Sequence, residues 1–520
     1  MDVAGTSVAT VPVSGSLRTS LAQTSPPKRR QPKRATSRIT RKGSKRRPRT
    51  PVVPVLRFTT PRDATALTND LGTLLDSRTR TGTWGAMVVS LTRGDTLFSR
   101  NADLRLLPAS TMKLFTSALV FERLGPEHSF STDVLRDGPL ETGGIVRGNL
   151  ILRGDGDPSM SPRFFRGGPD AAVAMLAQFV AGAGVTHVTG DLVADATAFE
   201  SRRIPEGWLP RYAESSYAAP FSALSLNENM IVVGVAPGAA RGGVTVVLEP
   251  ATRGLTVMST ARTVAGTAAR LRIQRVGDDR VMVSGTIGSR SGTRKYQLVV
   301  GDPATFTAGA FRAALETRGV VVDGDIRLGR TPVTATLVTS LPSPPISRLV
   351  STMNRESINL YAELLWRDAA RGVDRVAVGS AENASSAMQR FLVNTVGAAS
   401  GAVTATDGSG LSVLDRVTTR SMIQLLAHAH RAPWASAFHA SLPVAGESEL
   451  LRHRMRTTPA QGNLHAKTGT TNAVIGLSGY VTAENGEILA FAFLYNGADR
   501  WHARESIDAM GPTMAAFWRD

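Results

Sequence analysis

The chain of 520 residues is 42% hydrophobic, which is enough for two or three domains with large buried cores. It contains no cysteine, so disulfides, thiolate metal sites and cysteine nucleophiles are excluded. Its net charge of +18 is concentrated in residues 1–50, where 13 basic residues face a single acid, and the rest of the chain is only mildly basic.

Residues 1–57 are predicted to form a disordered basic tail, because the stretch from Lys28 to Arg49 has no aromatic and almost no apolar residues. Basic tails bind nucleic acid in some proteins, but nothing downstream resembles a base-reading module, so no nucleic acid partner is expected. The run 51–56 contains two prolines and is too short for the apolar part of a secretory signal. No apolar run approaches the ~20 residues that cross a bilayer, so no transmembrane segment is expected.

From residue 58 the pattern is that of an ordered α/β fold. Four leucines spaced along one face predict a helix over 64–78. The runs 84–91 and 96–99 predict a β-hairpin. The next helix opens at Ser110 and is apolar on nearly all sides, so we expect it at the centre of a domain.

The composition changes between residues 132 and 335, where short β-rich runs and Gly-rich turns predict a mainly β insertion. Helical and strand patterns return after residue 345, with helices over 357–371, 381–396 and 418–432, strands over 474–481 and 488–495, and a final helix over 504–518. This order predicts an α/β catalytic domain formed by residues 58–131 and 336–520. The inserted accessory region at 132–335 interrupts it.

Ser110 and Lys113 are three residues apart at the start of the buried helix, so their side chains project on the same side about one turn apart. A serine hydroxyl is a weak nucleophile until a base removes its proton, and a lysine is that base only when it is neutral. Burial and a second cation nearby both lower a lysine pKa. The other Ser-x-x-Lys string, Ser25 to Lys28, falls in the tail and encloses two prolines, so we take Ser110 as the nucleophile and Lys113 as its base.

A second string, Ser357-Ile-Asn359, lies in the later helical block. We expect the Ser357 hydroxyl to pass a proton between the lysines and the leaving amine, and the Asn359 amide to hold a substrate carbonyl. Two other Ser-x-Asn strings begin at Ser99 and Ser225, but neither lies between the first and third catalytic strings in a helical context.

The third string runs from Lys467 through Thr468 and Gly469 to Thr470, just before a predicted strand. A lysine charge and threonine hydroxyls suit a substrate carboxylate, and a glycine without a Cβ lets another backbone approach closely. The N–H groups of Ser110 and Thr470 are predicted to form an oxyanion hole. No metal and no cofactor are expected for this chemistry.

These strings and several flanking segments resemble those of the low-molecular-mass class C penicillin-binding proteins, the D-alanyl-D-alanine carboxypeptidase/endopeptidase family. The flanking segments are Gly148-Asn-Leu with Gly156-Asp-Pro158, Tyr217-Ala-Ala-Pro-Phe-Ser-Ala-Leu224 with Asn227-Glu-Asn229, Asp407-Gly-Ser-Gly-Leu-Ser412 and Ser441-Leu-Pro-Val-Ala-Gly446. The resemblance implies a DD-peptidase/β-lactamase-like catalytic domain and cleavage of the D-Ala-D-Ala bond of peptidoglycan stem peptides. It also implies acylation by β-lactams and a periplasmic or otherwise extracytoplasmic site of action.

The sequence therefore predicts a serine-type D-Ala-D-Ala carboxypeptidase, with endopeptidase activity on cross-linked peptides as a further option. One alternative is a β-lactamase on the same fold, which needs a base for fast deacylation; no Glu-x-x-Leu-Asn string of the relevant kind is present. The other alternative is a non-enzymatic wall-binding or regulatory protein that retains the fold. The presence of Ser110, Lys113 and Lys467 argues against it. The sequence leaves the oligomeric state open.

Overall fold

The computed structural model describes residues 56–373 and 375–520, so almost all of the predicted basic tail lies outside the described residues. The strands, in chain order, are β1 (Thr83–Ser90), β2 (Thr96–Arg100), β3 (Ser131–Arg136), β4 (Leu140–Glu141), β5 (Ile145–Val146), β6 (Leu150–Arg153), β7 (His187–Val188), β8 (Leu192–Asp195), β9 (Met230–Pro237), β10 (Val244–Glu249), β11 (Thr256–Ser259), β12 (Arg262–Val264), β13 (Ala269–Val276), β14 (Arg280–Gly288), β15 (Arg294–Val299), β16 (Val321–Val322), β17 (Ile326–Leu328), β18 (Thr336–Pro342), β19 (His465–Thr470), β20 (Val474–Thr482) and β21 (Ile488–Asn496). The helices are α1 (Ala64–Asp76), α2 (Met112–Leu124), α3 (Ala171–Gly182), α4 (Pro303–Thr317), α5 (Ile346–Glu356), α6 (Asn359–Arg371), α7 (Ala381–Phe391), α8 (Thr419–Arg431), α9 (Ala435–Ala440) and α10 (Arg500–Ala515). No helix in these two ranges is both long and apolar enough to cross a membrane.

One antiparallel sheet, with strand order β19-β20-β21-β1-β2, joins early and late parts of the chain. Strand β21 is covered on both faces, because its side chains alternate between two cores. Phe491 and Phe493 pack with the apolar residues of α1 and α10, whereas Ala490 and Leu494 pack with those of α2 and α8. A strand buried on both faces reads as a continuous apolar run, as β21 does.

Helix α2 occupies the centre of the second core. Every residue from Met112 to Phe121 is buried, including Lys113. A helix that is apolar all round is stable only inside a domain. The sequence prediction for this helix is therefore confirmed, and the helix places the Lys113 side chain in the interior.

The strands between residues 131 and 342 form four further sheets. Their orders are β10-β9-β15, β11-β14-β12 with β13 paired to β14, β16-β7-β5-β4, and β17-β8-β6-β3-β18. They share a separate apolar core with α3 and α4. This region is mainly β, as expected, and the boundaries of the proposed insertion remain a prediction.

The helical block differs from the expected pattern at Ser357. The sequence predicts a helix from 357 to 371, but Ser357 ends α5 in a left-handed conformation with φ 59° and ψ 43°, and α6 begins at Asn359. The break places the Ser357 hydroxyl beside Lys467 on β19, whereas Asn359, the first residue of α6, contacts Lys113 on α2.

Candidate active site

Ser110 lies in a single 3-10 turn, Ala109–Thr111, that leads directly into α2. The preceding residue, Ala109, has a positive φ of 46°, which is uncommon for a residue with a Cβ and is typical of strained functional turns. The Ser110 side chain is half-buried, so its hydroxyl is within reach of a substrate.

Lys113 connects Ser110 to two distant segments. Its Nζ donates to Ser110 Oγ at 2.9 Å, to Asn359 Oδ1 at 2.6 Å and to the backbone carbonyl of Ser409 at 2.9 Å. The side chain is fully buried, and loss of hydration lowers its pKa to about 7, although nearby carboxylates act in the opposite direction. A large fraction of Lys113 is therefore neutral near pH 7, which is the condition for a base.

Lys467, on β19, is paired with a different serine. Its Nζ donates to Ser357 Oγ at 2.9 Å and to the carbonyl of Thr468 at 3.0 Å. It is fully buried, and burial together with the charge of Lys113 holds its pKa well below the usual range. The two lysines are thus close enough to influence each other, and the first and third predicted strings meet.

The third string approaches the nucleophile through its glycine. A Cβ added to Gly469 would lie 2.7 Å from the Pro108 carbonyl oxygen and 3.3 Å from the Thr111 nitrogen. This spacing leaves no room for a side chain, so β19 runs directly beside the turn that carries Ser110. Thr468 is buried, whereas Thr470 is exposed at the end of the strand.

Asn359 makes a contact that the sequence does not predict. Its Oδ1 accepts from Lys113, and its Nδ2 donates to the Tyr217 carbonyl at 2.8 Å. The amide oxygen therefore orients the Lys113 amine, and one amide N–H holds the segment that begins at Tyr217. An amide nitrogen has a second N–H, and the expected bond to a substrate carbonyl remains a prediction for that hydrogen.

The segment 407–412 is the main part of the site that motif reasoning from the residues missed. Asp407 accepts from the N–H groups of Ser409, Gly410 and Ser412 and from Trp208 Nε1, at distances between 2.6 and 3.0 Å. These bonds fix the Ser409 carbonyl that receives Lys113. The sequence does carry a sign of this segment: Asp407 followed closely by Gly408 and Gly410 predicts a tight turn that the aspartate side chain stabilises.

Comparison with known proteins gives one consistent family. A family model described as the D-Ala-D-Ala carboxypeptidase 3 (S13) family matches residues 67–516. The D-alanyl-D-alanine carboxypeptidase of Actinomadura sp. (strain R39) is 35% identical over 450 residues, which cover 83% of this chain and 81% of that protein. The D-alanyl-D-alanine carboxypeptidase DacB of Haemophilus influenzae is 24% identical over 418 residues, which cover 79% of this chain and 85% of that protein.

Among solved structures, penicillin binding protein 4 (dacB) from Haemophilus influenzae aligns with a TM-score of 0.72 and 22% identity, covering 85% of this chain and 98% of that chain. A second structure of the Haemophilus protein, in complex with a β-lactam, aligns with a TM-score of 0.66 and 22% identity, covering 82% and 93% of the two chains. The predicted α/β DD-peptidase fold with a large β region is confirmed by this likeness.

Proposed function

This chain belongs to the D-Ala-D-Ala carboxypeptidase 3 (S13) family, and we propose that it removes the terminal D-Ala of peptidoglycan stem peptides through an acyl-enzyme on Ser110. The activity is that of a serine-type D-Ala-D-Ala carboxypeptidase, a hydrolase. The single observation that carries the residue assignment is the 2.9 Å contact between Lys113 Nζ and Ser110 Oγ in a site where the lysine pKa is about 7.

Acylation begins when Ser110 Oγ attacks the carbonyl carbon of the penultimate D-Ala. The hydroxyl proton passes to neutral Lys113 Nζ as the new C–O bond forms, so the lysine becomes an ammonium and the carbonyl oxygen becomes an oxyanion. The N–H groups of Ser110 and Thr470 stabilise that oxyanion. The close approach of Gly469 to the nucleophile turn supports this pairing of two backbone segments.

The leaving D-Ala nitrogen needs a proton before the C–N bond breaks. Ser357 supplies it from its hydroxyl and takes a replacement from the lysine ammonium, which restores Lys113 to its neutral form. The 2.9 Å bond between Ser357 and Lys467 supports a relay in which the serine is held by one lysine while it serves the other. Water then hydrolyses the ester and releases Ser110.

Lys467 and Thr468 bind the substrate carboxylate. Burial and the charge of Lys113 disfavour the Lys467 ammonium in the free site, and an incoming carboxylate supplies the countercharge that favours it again. Binding of a free C-terminal carboxylate is therefore favoured over binding of an amide. The second N–H of the Asn359 amide holds a carbonyl of the bound peptide.

The test is labelling with a fluorescent penicillin, followed by mapping of the labelled peptide. A solved structure of a Haemophilus relative holds a β-lactam, and we expect penicillin to acylate Ser110 here. The Ser110→Ala variant should not be labelled, whereas the control Ser99→Ala, which changes an exposed serine on β2, should be labelled normally. Label on another residue would contradict the assignment, and rapid loss of the label would favour the β-lactamase alternative.

The substrate also sets where the protein acts. Peptidoglycan lies outside the cytoplasmic membrane, so we place the protein in an extracytoplasmic compartment, the periplasm where there is one. Protease accessibility in intact cells tests this placement. Incubation with cross-linked muropeptide dimers measures whether the same acylation step also opens cross-links.

A further inference from the structure

Behind Lys113 lies a group of three buried acids that the mechanism above does not use. We call Glu363, Asp407 and Asp415 the carboxyl cluster; all three are completely inaccessible to solvent. Buried carboxylates are rare unless they are paired or have a function. Within the described residues, the cluster has one arginine partner, Arg367, which is also fully buried.

Glu363 projects from the second turn of α6 and contacts the segment that holds the base. Its Oε1 accepts from the Gly408 N–H at 3.2 Å, and its Oε2 accepts from Arg367 Nη1 at 2.8 Å. The next residue in the segment, Ser409, receives the Lys113 ammonium on its carbonyl at 2.9 Å. One short stretch of backbone therefore separates the Glu363 carboxylate from Lys113.

The contact between α6 and this segment is tight enough to transmit position. A Cβ on Gly408 would lie 2.5 Å from the Ala362 carbonyl oxygen, and the Gly408 carbonyl accepts from Thr116 Oγ1 at 2.6 Å. The Gly408 peptide is thus fixed from α6 on one side and from α2 on the other. We therefore expect a change at Glu363 to displace the Ser409 carbonyl.

The charge of Arg367 is divided between two acids. Besides Glu363, it pairs with Glu200 at 3.2 Å through Nε, and its guanidinium lies 3.6 Å above the ring of Phe221. Because Arg367 serves both carboxylates, it offsets only part of the negative charge that Glu363 carries when it is ionised. Glu200 accepts from the same arginine but also from the N–H of Ala381 on α7. Glu363 instead accepts from the N–H of Gly408 beside the base, so Glu200 serves as the control.

We propose that Glu363 is a positioning residue for the reaction, acting through Lys113: it holds the Ser409 carbonyl in place and stabilises the ammonium that forms when Lys113 takes the proton of Ser110. This inference rests on the proposed function. Glu363 itself makes and breaks no covalent bond. The proton moves from Ser110 Oγ to Lys113 Nζ and later to the leaving group, and Glu363 supplies the countercharge while Lys113 is an ammonium. A buried ammonium without countercharge is costly.

The charged groups around the pair define the expected pH dependence. Asp407, Glu363 and Asp415 each attract the Lys113 ammonium when they are ionised, although burial and the charge of Asp407 hold the pKa of Asp415 well above its usual range. The cationic neighbour of Lys113 in this set is Lys467. Burial and Asp407 raise the pKa of Glu363 to about 7, against the attraction of Arg367. Removing the negative charge of Glu363 removes an attraction for the Lys113 ammonium, so the lysine loses its proton at lower pH.

The test compares Glu363→Gln with Glu200→Gln in the full chain. The second-order rate of acylation by a chromogenic β-lactam is measured from pH 5 to 9, with thermal melting as a check on folding. We expect the acid limb of the Glu363→Gln profile to move to lower pH by on the order of one unit, with an alkaline plateau about 10-fold lower because the base is weaker and less well held. The Glu200→Gln profile should match that of the wild type.

A folded Glu363→Gln variant whose acid limb coincides with that of the wild type would overturn the proposal. If that variant does not fold, Glu363→Asp keeps the charge and shortens the side chain; its acid limb should stay in place while its plateau falls, and a displaced limb would be the contrary result. Failure of the wild type itself to be acylated at any pH would count against the proposed function, so the two failures are distinguishable.

Discussion

The Nζ of Lys467 lies 2.9 Å from the Oγ of Ser357, although 110 residues separate the two in the chain. The site therefore contains two Ser–Lys pairs, because Lys113 contacts Ser110 at the same distance. Both lysines are fully buried, and burial lowers both pKa values. In the proposed mechanism each lysine thus contacts one of the two serines that carry the proton: Lys113 contacts the nucleophile and Lys467 contacts the relay serine.

Replacing Lys467 by Met should weaken recognition of the free C-terminal carboxylate. Hydrogen bonds to charged groups contribute about 1.5–3 kcal/mol, so kcat/KM for a peptide ending in D-Ala-D-Ala should fall by roughly 10- to 100-fold. The same peptide with a C-terminal amide cannot form the ion pair with Lys467, so its kcat/KM should fall less. The measurement is kcat/KM for both peptides, and the informative quantity is their ratio.

A control for this substitution exists in Lys295, the remaining lysine of the described residues. It lies on β15, is exposed to solvent and pairs with Glu249 at 2.8 Å. Lys295→Met should leave the preference for carboxylate over amide unchanged. An unchanged preference in Lys467→Met would show that the carboxylate is bound elsewhere.

The side-chain partners of the site are accessible to sequence reasoning because their chemistry imposes short spacings. Ser110 and Lys113 must lie one helical turn apart, and Lys467 must stand beside a glycine that admits another backbone. The hairpin of β1 and β2 and the covered strand β21 are likewise predictable, since their apolar patterns span whole elements.

Other parts of the site depend on contacts that carry no side-chain signature. Lys113 donates to a backbone carbonyl at Ser409, 296 residues away, and any residue type offers that acceptor. The left-handed conformation of Ser357 is not favoured by its own residue type, so the predicted helix over 357–371 starts two residues early. Tertiary packing around α2 imposes both features, so the conformational preferences of the local sequence do not predict them.

Burial of Lys113 should make folding stability rise with pH. The folded chain holds this lysine with a pKa of about 7, whereas the unfolded chain holds it near the ordinary value of 10.5. Between these values the unfolded state binds more protons, so its formation becomes less favourable as pH rises, with a slope of up to about 1.4 kcal/mol per pH unit. Below pH 7 both states bind the proton, so the free energy of unfolding no longer changes with pH through Lys113, and the cost of burying its ammonium is at its largest.

Lys113→Met isolates that contribution. Urea unfolding of wild type and variant at several values between pH 7 and pH 10 gives two stability curves, and subtraction removes the titrations that they share. We expect the wild-type curve to rise more steeply than that of the variant. Parallel curves would mean that Lys113 has an ordinary pKa in the folded protein, and the case for it as a neutral base would fail.

Replacing Gly410 by Ala should disable the nucleophile turn. Gly410 has a φ of +81°, and an added Cβ would lie 1.8 Å from the Ala109 carbonyl oxygen, so the turn that carries Ser110 must move. A displacement of about 1 Å at a reacting group costs on the order of 100-fold in rate, measured here as acylation by a β-lactam. Gly94 has a φ of +82° with nothing near its Cβ position, so Gly94→Ala carries the same backbone penalty of roughly 1–2 kcal/mol without the clash. Equal acylation rates in the two variants would show that the turn does not depend on the fit of Gly410.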